Sequence, residues 1–151
     1  MHYGFIGLGN LGSKLATRLA ENGFTVTGFD LNMPVSDSLE PAGVTFAASP
    51  EELAGSVDHV ITCLPSPDAS SAVLDQILGA MRPDANVIEM STIGRDDAIR
   101  FASLAEGAGV GFLELPVTGG VHLAALGELT LLAGGPESLM TLHEPALNVM
   151  G

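Results

Sequence analysis

Apolar residues come along this chain in two alternating rhythms: short unbroken runs, and stretches spaced by three or four. His2–Ile6 is a short apolar run that meets a glycine-rich turn at once, which predicts a buried strand. From Leu11 to Asn22, Leu11, Leu15, Ala16 and Leu19 recur at helical spacing, and Gly23 supplies the stop. Thr25–Phe29 reads as a second strand that ends at Asp30. Residues 31–43 carry Pro34 and Pro41 and read as a loop with one short turn of helix. Val44–Phe46 predicts a third strand. Ser49-Pro50-Glu51-Glu52 is a helix start, with Ser49 as cap, Pro50 in the first turn and Glu52 closing a capping box.

The alternation continues. Val57–Leu64 predicts a fourth strand, Pro65-Ser66-Pro67 a sharp turn, and residues 69–81 a helix. Asn86–Met90 predicts a fifth strand, and Ile99, Phe101, Ala102, Leu104 and Ala105 mark another helix. Gly111–Leu115 and Leu129–Ala133 read as two more strands with a glycine-rich segment between them. Pro136–Met150 is helical in pattern, with a break expected at Pro145. Strands alternating with helices predict an α/β fold with a doubly wound, mostly parallel sheet, plus a hairpin-like edge near 111–133. Continuous apolar strands fit a sheet covered on both faces.

A chain of 151 residues suits one domain, and 46% hydrophobic content supplies a core. Five basic against 18 acidic residues give a net charge of −13, which repels nucleic-acid backbones and anionic membranes. The single cysteine, Cys63, excludes an intrachain disulfide and points to a reducing, cytoplasmic setting. No apolar run approaches the ~18 residues of a membrane span.

The strongest chemical signal is Gly7-Leu8-Gly9-Asn10-Leu11-Gly12, a G-x-G-x-x-G pattern placed after a strand and at a helix start. Gly7 allows the tight turn, Gly9 lets a pyrophosphate approach the backbone, and Gly12 lets the helix pack close to the sheet. The helix start offers unpaired amides and a positive dipole end to the phosphates. Asp30 follows Gly12 by 18 residues and ends the next strand, where a carboxylate accepts from ribose hydroxyls. Its charge repels a 2′-phosphate, and no Lys or Arg lies between Arg18 and Arg82, which favours NAD over NADP. These features together predict a Rossmann-type dinucleotide fold.

At this point the chain resembles the β-hydroxyacid dehydrogenases, the family of 3-hydroxyisobutyrate dehydrogenase, tartronate semialdehyde reductase and 6-phosphogluconate dehydrogenase. The resemblance runs in order through Ile6-Gly7-Leu8-Gly9-Asn10-Leu11-Gly12 (Leu11 in place of the usual Met), Cys63-Leu64-Pro65, Met90-Ser91-Thr92, Leu115-Pro116-Val117-Thr118-Gly119-Gly120 and Ala124-Ala125-Leu126-Gly127-Glu128-Leu129. It implies that Leu64 and Pro65 lie along the adenosine side of the cofactor and that Thr92 lies near the nicotinamide ribose. It also implies that Thr118, Gly119 and Gly120 hold a small carboxylate substrate, a role suited to a hydroxyl beside exposed turn amides. Thr118 stands where the family usually has Ser.

The resemblance implies an NAD-dependent dehydrogenase that interconverts a small β-hydroxyacid and its semialdehyde. It places the catalytic lysine on a second, all-helical domain beyond Gly151. Residues 1–151 are then the cofactor domain alone, and no catalytic residue is assigned within them. Lys14, the one lysine, lies just past the phosphate motif and reads as a surface residue. The isolated chain is expected to be inactive and able to self-associate. Two alternatives remain at this stage: a stand-alone, non-catalytic NAD(H)-binding redox module, and an NAD(P)H-dependent imine reductase on the same scaffold. Cys63 reads as a core residue, and His2, His59, His122 and His143 show no metal spacing.

Overall fold

Neighbouring residues on each central strand go to opposite cores. Phe5, Ile61, Ile88 and Leu113 pack in one cluster, while Ile6, Val60, Val87 and Phe112 pack in the other. The strands are β1 (His2–Ile6), β2 (Thr25–Phe29), β3 (Thr45–Phe46), β4 (His59–Thr62), β5 (Asn86–Glu89) and β6 (Gly111–Glu114) in a computed structural model that describes residues 1–32 and 35–151. All pairs are parallel, in the spatial order β3-β2-β1-β4-β5-β6. The order reverses between β1 and β4, so a crevice opens at their carboxyl ends.

Seven helices are described: α1 (Gly12–Glu21), α2 (Ser36–Leu39), α3 (Pro50–Ser56), α4 (Pro67–Ile77), α5 (Arg95–Gly107), α6 (Gly120–Leu126) and α7 (Glu137–Met150). Leu15, Ala16 and Leu19 of α1, Ala124 of α6, and Ala146 and Met150 of α7 cover one face of the sheet. Leu53 and Ala54 of α3, Leu74 and Ile77 of α4, and Phe101 and Ala105 of α5 cover the other. A sheet buried on both sides needs apolar residues at consecutive positions, which is the pattern read from the chain.

Local rules explain the helix ends. Beyond α1, Gly23 takes φ +89° while its amide bonds the Ala20 carbonyl and the Phe24 amide bonds the Leu19 carbonyl, a left-handed stop that an L side chain disfavours. Ser49 caps α3 by accepting from the Glu52 amide, and the Glu52 carboxylate reaches back to the amide of Ala48. Ser66 caps α4 in the same way, accepting from the Ala69 amide, with Pro67 in the first turn.

Four expectations are corrected. The glycine-rich segment between the two expected strands, where no helix is expected, contains α6, seven residues closed by a left-handed Gly127. The strand expected over Leu129–Ala133 shrinks to β8 (Thr130–Leu131), which pairs antiparallel with β7 (Val117–Thr118) in a separate two-stranded ribbon. That ribbon meets the sheet edge through a bridge between Glu114 and Gly134. Helix α7 runs through Pro145 without ending. Pro145 and Thr141 are both exposed, so water can take the carbonyl that the missing proline N–H leaves unpaired. In the 31–43 stretch the single expected turn of helix is α2 followed by a 3-10 turn at Glu40–Ala42, and Pro34 lies outside the described residues.

Candidate functional site

The carboxyl ends of β1, β2, β4 and β5 all meet the crevice, and each carries a residue singled out from the sequence. The Gly7 amide donates to Phe29 and the Cys63 amide donates to Ile6, which extends the ladders on both sides of β1 up to the turns. The turns therefore start from a rigid edge.

The three glycines of the first turn are needed for three different reasons. Gly7 is buried at φ +96°, and a Cβ there would fall on the Cys63 carbonyl oxygen. A Cβ at Gly12 would fall on the Gly7 carbonyl, so only glycine lets α1 start so close to the strand. Gly9 is exposed, and a Cβ there would meet no atom of the protein within 4 Å. None of the described residues requires glycine at that place, so its bareness leaves the backbone open to an outside group. Asn10 is also exposed, and Leu11 is the half-buried cap residue of α1. Among the described residues, the amides of Gly9, Asn10, Leu11 and Gly12 have no acceptor. Four bare donors at a helix start suit an anion.

Leu8 plays a different part. Its side chain is buried, and its amide donates to Oδ2 of Asp30 at 2.7 Å. Oδ1 of Asp30 accepts from the Asn32 amide at 2.7 Å. The carboxylate is thus held in place while each oxygen keeps a lone pair for a further donor, as two adjacent sugar hydroxyls would be. The bare Gly9, the unpaired amides and the fixed acid fit a nicotinamide dinucleotide.

On the far side of the crevice, Leu64 is half-buried, and Pro65 and Thr92 are exposed. Sequence reasoning passed over Ser91 between them. Its buried hydroxyl accepts from the Leu64 amide at 2.7 Å and from the Ser70 hydroxyl at 3.3 Å. The Ser91 amide donates to Oε1 of Glu89 at 2.8 Å. Glu89 is fully buried, and among the described residues its Oε2 has no partner. The only forward signal for this group was a polar pair, Glu89 and Ser91, at the end of an apolar strand.

Thr118 ends β7, Gly119 caps α6 and Gly120 opens it, and all three are exposed. Gly119 and Gly120 both have positive φ, at +132° and +79°. Burial, and then the Glu89 carboxylate, push the Cys63 thiol up to about 11, which fits a packing residue and not a nucleophile. Lys14 and His122 are exposed. Asp96 and Asp97 lie in the first turn of α5, where acids favour the dipole. Among the described residues no cluster of His, Cys, Asp and Glu could hold a metal ion, and no helix is long and apolar enough to cross a membrane.

Residues 2–151 match the profile of the NAD binding domain of 6-phosphogluconate dehydrogenase. The chain belongs to this family. Within it, a probable 3-hydroxyisobutyrate dehydrogenase of Mycobacterium tuberculosis is 36% identical over 146 residues, covering 97% of this chain and 50% of that protein. The solved M. tuberculosis 3-hydroxyisobutyrate dehydrogenase with L-serine superposes with a TM-score of 0.96 at 35% identity, over 99% of this chain and 52% of its own. An imine reductase variant from Myxococcus stipitatus in complex with NAD+ superposes with a TM-score of 0.92 at 22% identity, over 99% of this chain and 52% of its own. That likeness shows the fold alone. The chain therefore spans about half the length of the relatives it matches.

Proposed function

We propose that residues 1–151 are the cofactor half of an oxidoreductase that interconverts a small β-hydroxyacid and its semialdehyde, using NAD in preference to NADP. The observation that supports this reading best is the join between Asp30 and the glycine turn: a fixed acid beside four amides with no acceptor among the described residues, next to the point where strand order reverses. The amides of Gly9, Asn10, Leu11 and Gly12 would hold the pyrophosphate, with Gly7 shaping the turn and Leu8 holding Asp30. Asp30 would accept from the adenosine ribose hydroxyls and repel a 2′-phosphate. Leu64 and Pro65 would line the adenosine side, and Thr92 would meet the nicotinamide ribose. When bound, the nicotinamide supplies hydride exchange.

Thr118, Gly119 and Gly120 would orient the substrate carboxylate with one hydroxyl and exposed amides. A relative seen with L-serine is consistent with a small acid that carries a hydroxyl. Proton transfer to the substrate oxygen needs a group this half does not offer, since Lys14 stands exposed on α1. The family resemblance assigns that step to a lysine of a helical second domain. Val121, Leu126 and Leu132 are exposed at 42%, 49% and 56%, an apolar surface through which the chain would self-associate. A single cysteine, with no partner for an intrachain disulfide, fits a reducing compartment, and we assign the cytoplasm.

Fluorescence titration of the chain with NADH and NADPH tests the reading. Tighter binding of NADH is expected, together with little or no turnover of small hydroxyacids by these residues alone. Equal affinity for the two cofactors would remove the case for NAD, and no binding of either would remove the dinucleotide site.

A further inference from the structure

The crevice has two walls on its far side, the turn after β4 and the turn after β5, and one buried hydroxyl joins them. We propose that Ser91 is a positioning residue that holds Leu64–Pro65 and Thr92 at a fixed spacing, so that one dinucleotide can touch both. The inference rests on the cofactor reading above and adds a role to a residue that touches no ligand.

Ser91 is 3% exposed, so its hydroxyl is not a direct contact for a bound molecule. The hydroxyl accepts from the Leu64 amide at 2.7 Å, which anchors the middle of the β4 turn. It also accepts from the buried Ser70 hydroxyl at 3.3 Å, which ties in the first turns of α4. From below, Oε1 of Glu89 takes the Ser91 amide at 2.8 Å and fixes the backbone that leads into Thr92. Three elements, β5, the β4 turn and α4, thus converge on one residue, the last two on its hydroxyl and β5 on its amide. The ladder bond from the Met90 amide to the Thr62 carbonyl, at 2.8 Å, is the last backbone tie between the two strands before the turns separate. Beyond it the described bonds between the two turns all pass through Ser91. Without the hydroxyl the Leu64 amide loses its acceptor, and the two walls are free to move apart.

A ligand that crosses from one wall to the other depends on that spacing, whereas a ligand that stays on the adenosine side does not. NADH is the first kind and AMP the second. Ser91→Ala is therefore expected to weaken NADH at least fivefold while changing AMP less than twofold, both read by titration on the chain as it stands. Hydrogen exchange supplies a readout that needs no ligand: the Leu64 amide, slow in the unchanged chain, is expected to exchange at least tenfold faster in the variant. Ser91→Thr, which keeps the hydroxyl, is expected to restore both. General damage to the fold would weaken NADH and AMP alike, and that result overturns the proposal. So does an NADH affinity in Ser91→Ala less than fivefold below that of the unchanged chain, or an unchanged Leu64 exchange rate. If the unchanged chain binds neither ligand, the cofactor reading itself falls. If it binds both and the variant does not discriminate, only the role of Ser91 falls.

Discussion

Asp30 accepts the backbone amide of Leu8 at 2.7 Å, so the acid that ends β2 is fastened to the turn that ends β1. On the proposed cofactor reading, one side chain both shapes the phosphate turn and would accept from the sugar. Asp30→Ala removes both functions. A hydrogen bond to a charged group contributes about 1.5–3 kcal/mol, so NADH affinity is expected to fall roughly tenfold to a hundredfold. Asp30→Asn keeps an acceptor and loses the charge. Its NADH affinity is expected to fall less, and its affinity for NADPH to rise as the repulsion of the 2′-phosphate goes. Parallel titrations of the two variants with the two cofactors check this, and an unchanged NADH-to-NADPH ratio in Asp30→Asn would contradict it.

Gly9 and Gly12 separate binding from stability. A Cβ on Gly12 collides with the Gly7 carbonyl, while a Cβ on Gly9 meets open space. Gly12→Ala is expected to cost about 2–4 kcal/mol, seen as a fall in Tm of roughly 5–15 °C. Gly9→Ala is expected to leave Tm within about 2 °C and to weaken NADH sharply, because on the proposed reading the methyl group would stand in the path of the pyrophosphate. Thermal melts and titrations on the same two proteins decide the matter. Equal damage to Tm in both would show that Gly9 is a folding residue after all.

What could be read from the chain, and what could not, follows from the range of each interaction. The succession of strands and helices along the chain rests on alternation and on apolar runs such as Val87–Ile88, which are local signals. Asp30 follows Gly12, the last glycine of the turn, by 18 residues, and a spacing rule covers them. Helix α6 was hidden because Gly119, Gly120 and Gly127 look like turn residues, and seven residues give little periodicity. Pro145 looked like a break because the rule on proline concerns backbone bonds and ignores that its side of α7 faces water. Ser91 needed its distant partners, Leu64 and Ser70, to acquire meaning. The contact of Tyr3 with His143 spans 140 positions, and no pattern in either segment announces it.

Cys63 offers a check on burial at the site. Its thiol is pushed up to about 11 by burial first and then by the Glu89 carboxylate. The thiolate is the reactive species, so alkylation near neutral pH is expected to be slow, and to speed up on adding denaturant. Glu89→Gln removes the charge and is expected to quicken labelling modestly, by about twofold to fivefold. Mass spectrometry after a timed exposure to iodoacetamide measures all three rates. Fast labelling of the folded, unaltered chain would mean that the crevice floor is more open than described.

A buried polar cluster at the opposite end of the sheet makes stability depend on pH. The Asn86 amide nitrogen lies 3.0 Å from Nδ1 of His59 and 3.4 Å from Nε2 of His143. An NH2 group can only donate, so both imidazole nitrogens must be unprotonated acceptors. On its other side, Nδ1 of His143 lies 2.9 Å from the Tyr3 hydroxyl, which itself donates to Sδ of Met1. The pattern closes only with both imidazoles neutral. Burial, and then His59, lower the His143 pKa from 6.5 to about 4, and burial lowers that of His59 as well. Asp58, paired with Arg82, and the chain's amino group are the other charges that act on His59, and their effects on it are smaller than burial. The unfolded chain takes up the His143 proton near pH 6.5, whereas the folded chain resists until about 4. Stability is therefore complete above the unfolded value and is lost as pH falls between the two. From His143 alone the loss is roughly 2 kcal/mol on going from about pH 7 to about pH 5. His143→Gln carries no titrating proton, so its stability is expected to fall less over the same interval. Urea unfolding of both proteins across that range measures the difference in slope. Parallel curves would mean that His143 is not the group that couples helix α7 to the proton.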